Sequence, residues 1–156
     1  MNVLFNSVNK INSLTAAAPD RIKNLQTEDL EYKISPQKWS KKEILGHLCD
    51  SAVNNLSRFV RAQFEAEPFA IVSYAQDEWV SVNHYNEMDT VELLNYWVTL
   101  NKQIVRIISN MPESKLSVKI EPAIAAFRED TADKSLLWLI EDYVVHMDYH
   151  LKQIID

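Results

Sequence analysis

The chain has 156 residues with a formal net charge of −6, 47% hydrophobic and 24% charged, and it contains one glycine and one cysteine. That length suits one domain with a real core, and the expectation is a single domain over residues 1–156. The acidic balance argues against nucleic-acid binding through phosphate contacts, and the lone Cys49 excludes an internal disulfide framework.

A single glycine is too few for a β-sandwich or a Gly-rich phosphate loop, so long helices joined by short loops are expected. No signal peptide is expected, and no apolar run is long enough to span a membrane. The expected location is cytoplasmic.

The first helix is expected from about Val3 to Ala18, with Leu4, Val8, Ile11 and Leu14 on one face. Pro19 is expected to interrupt it, with Asp20 to Leu25 as a further turn. Thr27 to Trp39 reads as a connection. The second helix has the clearest start. Ser40-Lys41-Lys42-Glu43 is a capping box, in which the serine hydroxyl and the glutamate carboxylate each take an otherwise orphaned N–H. Ile44, Leu45, Leu48, Ala52, Leu56, Phe59 and Val60 then recur at helical spacing.

Ile71 to Glu87 reads as a loop with a short helix. The third long helix begins near Met88-Asp89-Thr90 and stops at Asn110-Met111-Pro112. Ser117 to Ile120 reads as a short extended piece. The fourth long helix begins near Asp133, with a stripe of Leu136, Ile140, Tyr143, Val144, Met147, Leu151 and Ile154. The fold class is therefore all-α, a four-helix bundle.

Three of the four histidines sit on these helices. His146 and His150 are four apart, so both imidazoles lie on one helix face about a turn apart. At ~100° per residue, both flank the apolar stripe of their helix, His150 by roughly 60°. His47 flanks the stripe of the second helix, and Ser51, Asn54 and Arg58 share its strip. Packing the two stripes together brings the flanking strips into one groove, expected to have polar walls and an open side.

His47, His146 and His150 are thus candidate ligands for one divalent metal. A zinc-protease helix would read His-Glu-x-x-His, and here Met147 follows the first histidine. A di-iron bundle would need Glu-x-x-His pairs, and no histidine has a glutamate three residues before it. His84 reads as structural or exposed. Cys49 reads as a small core residue, and Glu43 is assigned to the helix cap.

Two segments resemble a known family. Lys38-Trp39-Ser40-Lys41-Lys42-Glu43-Ile44-Leu45-Gly46-His47-Leu48 resembles the entry to the metal-bearing helix of the DinB-like superfamily, particularly its YfiT-like branch. Glu141 to Ile154, with His146-Met147-Asp148-Tyr149-His150 at its centre, resembles that family's C-terminal helix. Tyr74 to Val80 looks like its linking segment.

The resemblance implies an up-down-down-up bundle, often a homodimer, with metal on the histidines matching His47, His146 and His150. Zinc, nickel, manganese and iron occur in such sites across the family. Its members include thiol transferases using bacillithiol or mycothiol and a mycothiol-dependent isomerase. The expected function is a metal-dependent transferase using a low-molecular-weight thiol, or a metal-dependent hydrolase, acting on a small-molecule substrate. The alternatives are a non-catalytic metal-dependent binding protein and a bundle with no metal.

Around the histidines, Asp50, Asp142 and Asp148 are candidates to orient the rings. For Asp50 and Asp142, a solvated surface carboxylate is the preferred reading. Trp39 and Tyr143 read as pocket lining or bundle packing. Arg58 reads as an anchor for a substrate carboxylate or as half of a surface ion pair.

Overall fold

The computed structural model describes residues 4–122 and 134–156. Four long helices form a bundle: α1 (Phe5–Lys23), α3 (Lys41–Arg61), α5 (Thr90–Ser109) and α6 (Leu136–Ile155). Two short helices, α2 (Thr27–Glu31) and α4 (Gln76–Asn83), sit in the connections. Helices α1 and α3 each pack against both α5 and α6. The core is continuous, and Ile11, Leu48, Phe59, Trp97, Ile104, Leu136 and Met147 are among its fully enclosed members. Each large apolar side chain buried this way contributes about 1.5–3 kcal/mol.

The expected starts of α3 and α5 are present. The Ser40 hydroxyl accepts from the Glu43 N–H, and the Glu43 carboxylate accepts from the Ser40 N–H, completing the capping box. Asp89 caps α5 by accepting from the Glu92 N–H. For α6 the cap is Ser135, which accepts from Trp138. Val3 and Asp133, named above as approximate helix starts, lie outside the described residues.

Three expectations need correction. Helix α1 runs through Pro19 without interruption. Ala18 and Ile22 on either side of the proline are both buried, so packing holds the last turns in helical form despite the lost N–H. Within the presumed connection, Thr27–Glu31 forms α2, which buries Leu30. A pair of three-residue strands was also not expected in full: β1 (Phe69–Ile71) pairs in parallel with β2 (Ile120–Pro122), Phe69 opposite Ile120.

Helix direction follows from side-chain contacts. Going along α3 through His47, Ser51 and Phe59, the partners on α6 are His150, His146 and Tyr143. The two helices therefore run antiparallel. Lys10 and Arg21 of α1 meet Asp148 of α6 and Asp156 at its C-terminal cap, so that pair runs parallel.

The one glycine lies inside α3, where glycine costs roughly 1 kcal/mol relative to alanine. A Cβ at Gly46 would overlap the Tyr85 ring. The missing side chain lets Tyr85 lie against the helix backbone and send its hydroxyl 2.5 Å to Asp50 Oδ1.

Candidate metal centre

The antiparallel contact of α3 and α6 brings the three expected histidines together. His146 and His150 come one turn apart on α6, with ring centroids 4.6 Å apart. His47 enters from α3, its centroid 5.1 Å from His146 and 4.9 Å from His150. One ligating nitrogen from each ring lies within 4.8 Å of the other two. Among the described residues this is the one cluster of three or more histidine, cysteine or acidic side chains so arranged.

The donor set fits a divalent ion. His47 Nε2 and His146 Nε2 face each other at 3.1 Å. Two imidazole nitrogens at ~2.1 Å from a tetrahedral ion would be ~3.4 Å apart, so the spacing needs little adjustment. At His150, Nδ1 lies 2.7 Å from Gln153 Oε1. An amide oxygen only accepts, so Nδ1 carries the ring proton and Nε2 keeps its lone pair. Ser51 Oγ stands 3.5 Å from His146 Nδ1.

Electrostatics keep these rings neutral. Burial lowers His47 to about 3, with a smaller contribution from His150. Burial also pulls His146 well below the ordinary imidazole range, assisted by the other two histidines. His150 is lowered by burial, partly opposed by Gln153. Neutral imidazole is the metal-binding form.

The rings lie deeper than the open groove expected from the stripes. His47 is 1% exposed, and His146 and His150 are each 9% exposed. Trp39, just before the capping box, lies over His47 at 4.7 Å, and Tyr149 stands edge-on to His150 at 5.1 Å. Aromatic cover from the residues around the two helix segments explains the difference. Among the described residues, His47 Nδ1 is itself buried with no hydrogen-bond partner.

The surrounding residues sort differently from their sequence readings. Asp50 is buried at 2% exposure, bonded to Tyr85 and within 3.5 Å of Asn83 Nδ2. Burial raises its pKa to about 6 against the lowering effect of the Tyr85 bond. Asp142 is buried too, so neither is a solvated surface carboxylate. Asp148 pairs with Lys10 at 2.8 Å and Lys152 at 2.7 Å. Tyr143 is a core residue that donates to Asn101 Oδ1 at 2.6 Å.

Among the described residues, Arg58 forms no surface ion pair. It is 6% exposed and donates to Asn55 Oδ1 and to the Val72 carbonyl. Cys49 is a fully buried core residue, as expected, and burial pushes its thiol up. Glu43 serves the cap and an ion pair with Lys33. His84 is exposed, with left-handed backbone (φ 50°) at the end of α4.

Sequence reasoning missed Gln153. Its place three residues after His150 puts it on the same helix face, which is the signal that could have found it.

The same architecture is found in known proteins. YfiT from Bacillus subtilis, described as a probable metal-dependent hydrolase with an unusual four-helix bundle topology, superposes with a TM-score of 0.81. That match has 17% identity and covers 96% of this chain and 82% of YfiT. The mycothiol-dependent maleylpyruvate isomerase superposes with a TM-score of 0.72 at 10% identity, over 97% of this chain and 60% of the isomerase. This chain thus spans less than two thirds of that enzyme, and at these identities both likenesses are of fold alone. No curated protein matches the sequence. The sequence model of the DinB superfamily matches residues 12–154, which contain all three histidines, and the chain belongs to that superfamily.

Proposed function

We propose that His47, His146 and His150 hold one divalent metal ion and that the protein is a metal-dependent enzyme acting on a small molecule. The reaction is transfer of a low-molecular-weight thiol, or hydrolysis. The observation that carries this reading is the convergence of three buried imidazoles whose ligating atoms lie within 4.8 Å of one another. Zinc, nickel, manganese and iron are the candidate ions, since imidazole suits several of them and affinity order alone does not select one.

An ion held by three protein ligands retains positions for other groups and acidifies a water or thiol bound there. The protein's own residues do the rest. Gln153 fixes the ring proton of His150 on Nδ1. Trp39 covers His47 and excludes water from that side. The description of YfiT supports the hydrolytic arm, and the thiol dependence of the isomerase supports the transfer arm. We take residues 1–156 as one domain, working as a cytoplasmic homodimer.

Metal analysis of the purified protein beside His47→Ala tests the site. One ion per chain is expected in the wild type and a large loss in the variant; equal metal content would remove the reading. Metal-loaded protein is then assayed for thiol transfer to varied electrophiles and for hydrolysis of small esters and amides. Activity in neither series would favour a non-catalytic metal-dependent binder, the reading that the low exposure of the histidines supports.

A further inference from the structure

Beyond the three histidines, the strip that His47 begins on α3 continues through polar residues. Ser51, Asn55 and Arg58 follow at steps of four, four and three, so they share one helix face. All three are buried. Buried polar groups are costly unless bonded, and a buried guanidinium without a carboxylate is more so. Among the described residues, Arg58 has neutral oxygens as its hydrogen-bond partners, Asn55 Oδ1 at 3.3 Å and the Val72 carbonyl at 3.0 Å.

These groups are joined end to end. Arginine has only donors, so Asn55 must turn its Oδ1 toward Arg58 and its Nδ2 the other way. Asn55 Nδ2 then donates to the Ser51 carbonyl at 2.9 Å and reaches Ser51 Oγ at 3.3 Å. Ser51 Oγ in turn stands beside His146 Nδ1 at 3.5 Å. The far nitrogen of that ring faces His47.

We propose that Arg58, acting through Asn55 and Ser51, is a positioning residue for the His146 ring. The proposal rests on the metal reading given above. Arg58 sets the orientation of the Asn55 amide, the amide holds the Ser51 hydroxyl in place, and Ser51 Oγ stands 3.5 Å from His146 Nδ1, where it can accept from Nδ1–H when Nε2 is the ligating atom. Partners of this kind orient metal-binding imidazoles, and losing one weakens metal binding about 10–100-fold.

Two variants separate this role from simple packing. Asn55→Leu breaks the chain but leaves the Arg58–Val72 bond, and Arg58→Met breaks both. Zinc affinity is measured by competition with a chromophoric chelator, and the ring nitrogens of His146 and His150 are followed by 15N NMR in metal-free protein. Both variants are expected to weaken zinc binding about 10–100-fold. Their double variant should be no weaker than the poorer single one. Arg58→Lys, which can still donate to Asn55, should retain more affinity than Arg58→Met. The His146 resonances should shift and those of His150, held by Gln153, should not.

Zinc affinity of Asn55→Leu within twofold of wild type, with unmoved His146 resonances, would overturn the proposal. So would weakening confined to Arg58→Met, which would assign Arg58 to holding Val72. Absence of zinc binding in the wild type would instead remove the metal reading. The His146 resonances of the metal-free variants still decide whether the chain of bonds governs the ring.

Discussion

His47 Nε2 lies 3.1 Å from His146 Nε2, although 99 positions separate the two residues in sequence. Both rings are held neutral by burial, so protons are weak competitors for an ion between them. Three exposed histidines of ordinary pKa would lose ~1,000-fold in metal affinity between pH 7.5 and 5.5. Here the loss is expected to be less than about tenfold, because all three groups titrate below the ordinary imidazole value. Chelator-competition titrations across that range measure it. A slope like that of exposed imidazoles would show that the site opens to water in solution.

Stability of the metal-free protein should carry the same signature. The pKa of His47 falls from 6.5 unfolded to about 3 folded. Between those values the unfolded chain binds more protons, so this residue makes stability fall as pH drops through that window. Asp50, raised from 3.8 to about 6, acts with the opposite sign, since the folded state binds its proton more tightly. Its contribution is lost as pH rises from about 4 to 6. Urea melts at pH 7.5 and 5 should show His47→Leu gaining stability relative to wild type at the lower pH. Asp50→Asn should change in the reverse direction over the same range.

Gly46→Ala is expected to destabilise the protein even though alanine is the better helix former. The propensity gain is roughly 1 kcal/mol. Against it stands overlap with the body of the Tyr85 ring, which is attached close to the backbone and cannot swing clear without leaving Asp50. Overpacking of this kind costs about 1–3 kcal/mol. Thermal melts should place Gly46→Ala below wild type, and adding Tyr85→Ala should remove the Gly46→Ala penalty. A Gly46→Ala variant more stable than wild type would mean that the ring relocates.

Gln153→Leu should weaken metal binding about tenfold with little change in melting temperature, because it removes the acceptor that fixes His150 Nδ1–H. Gln153 lies on the exposed side of α6, so its packing contribution is small. Zinc titration and a thermal melt on the same sample separate the two effects. A large drop in melting temperature with unchanged affinity would assign Gln153 to helix packing.

Much of the bundle was legible because its signals are local. The Ser40–Glu43 box is a contact three residues long, and it starts α3 where expected. The apolar stripe of α6 lies buried as its period predicts, with Val144 only at the margin. By contrast, Pro19 misled because local propensity was outweighed by packing around Ala18 and Ile22. The parallel pair of β1 and β2 is three residues per strand and joins Phe69 to Ile120, so neither segment carries a period long enough to announce it.

The candidate site divides along the same line. Sequence alone determined that His146 and His150 share a face, because an i,i+4 relation is set by helix geometry. It also placed His47 beside its own apolar stripe. Only the tertiary structure decided that α3 meets α6 antiparallel, bringing His47 onto that pair, and that Trp39 closes over it. The burial of Asp50 and Arg58 was decided there too, by neighbours from η1 (Tyr85–Glu87), α4 and the segment after β1. A helix period reports which residues share a face. What covers that face depends on distant segments, whose positions follow from packing of the whole chain.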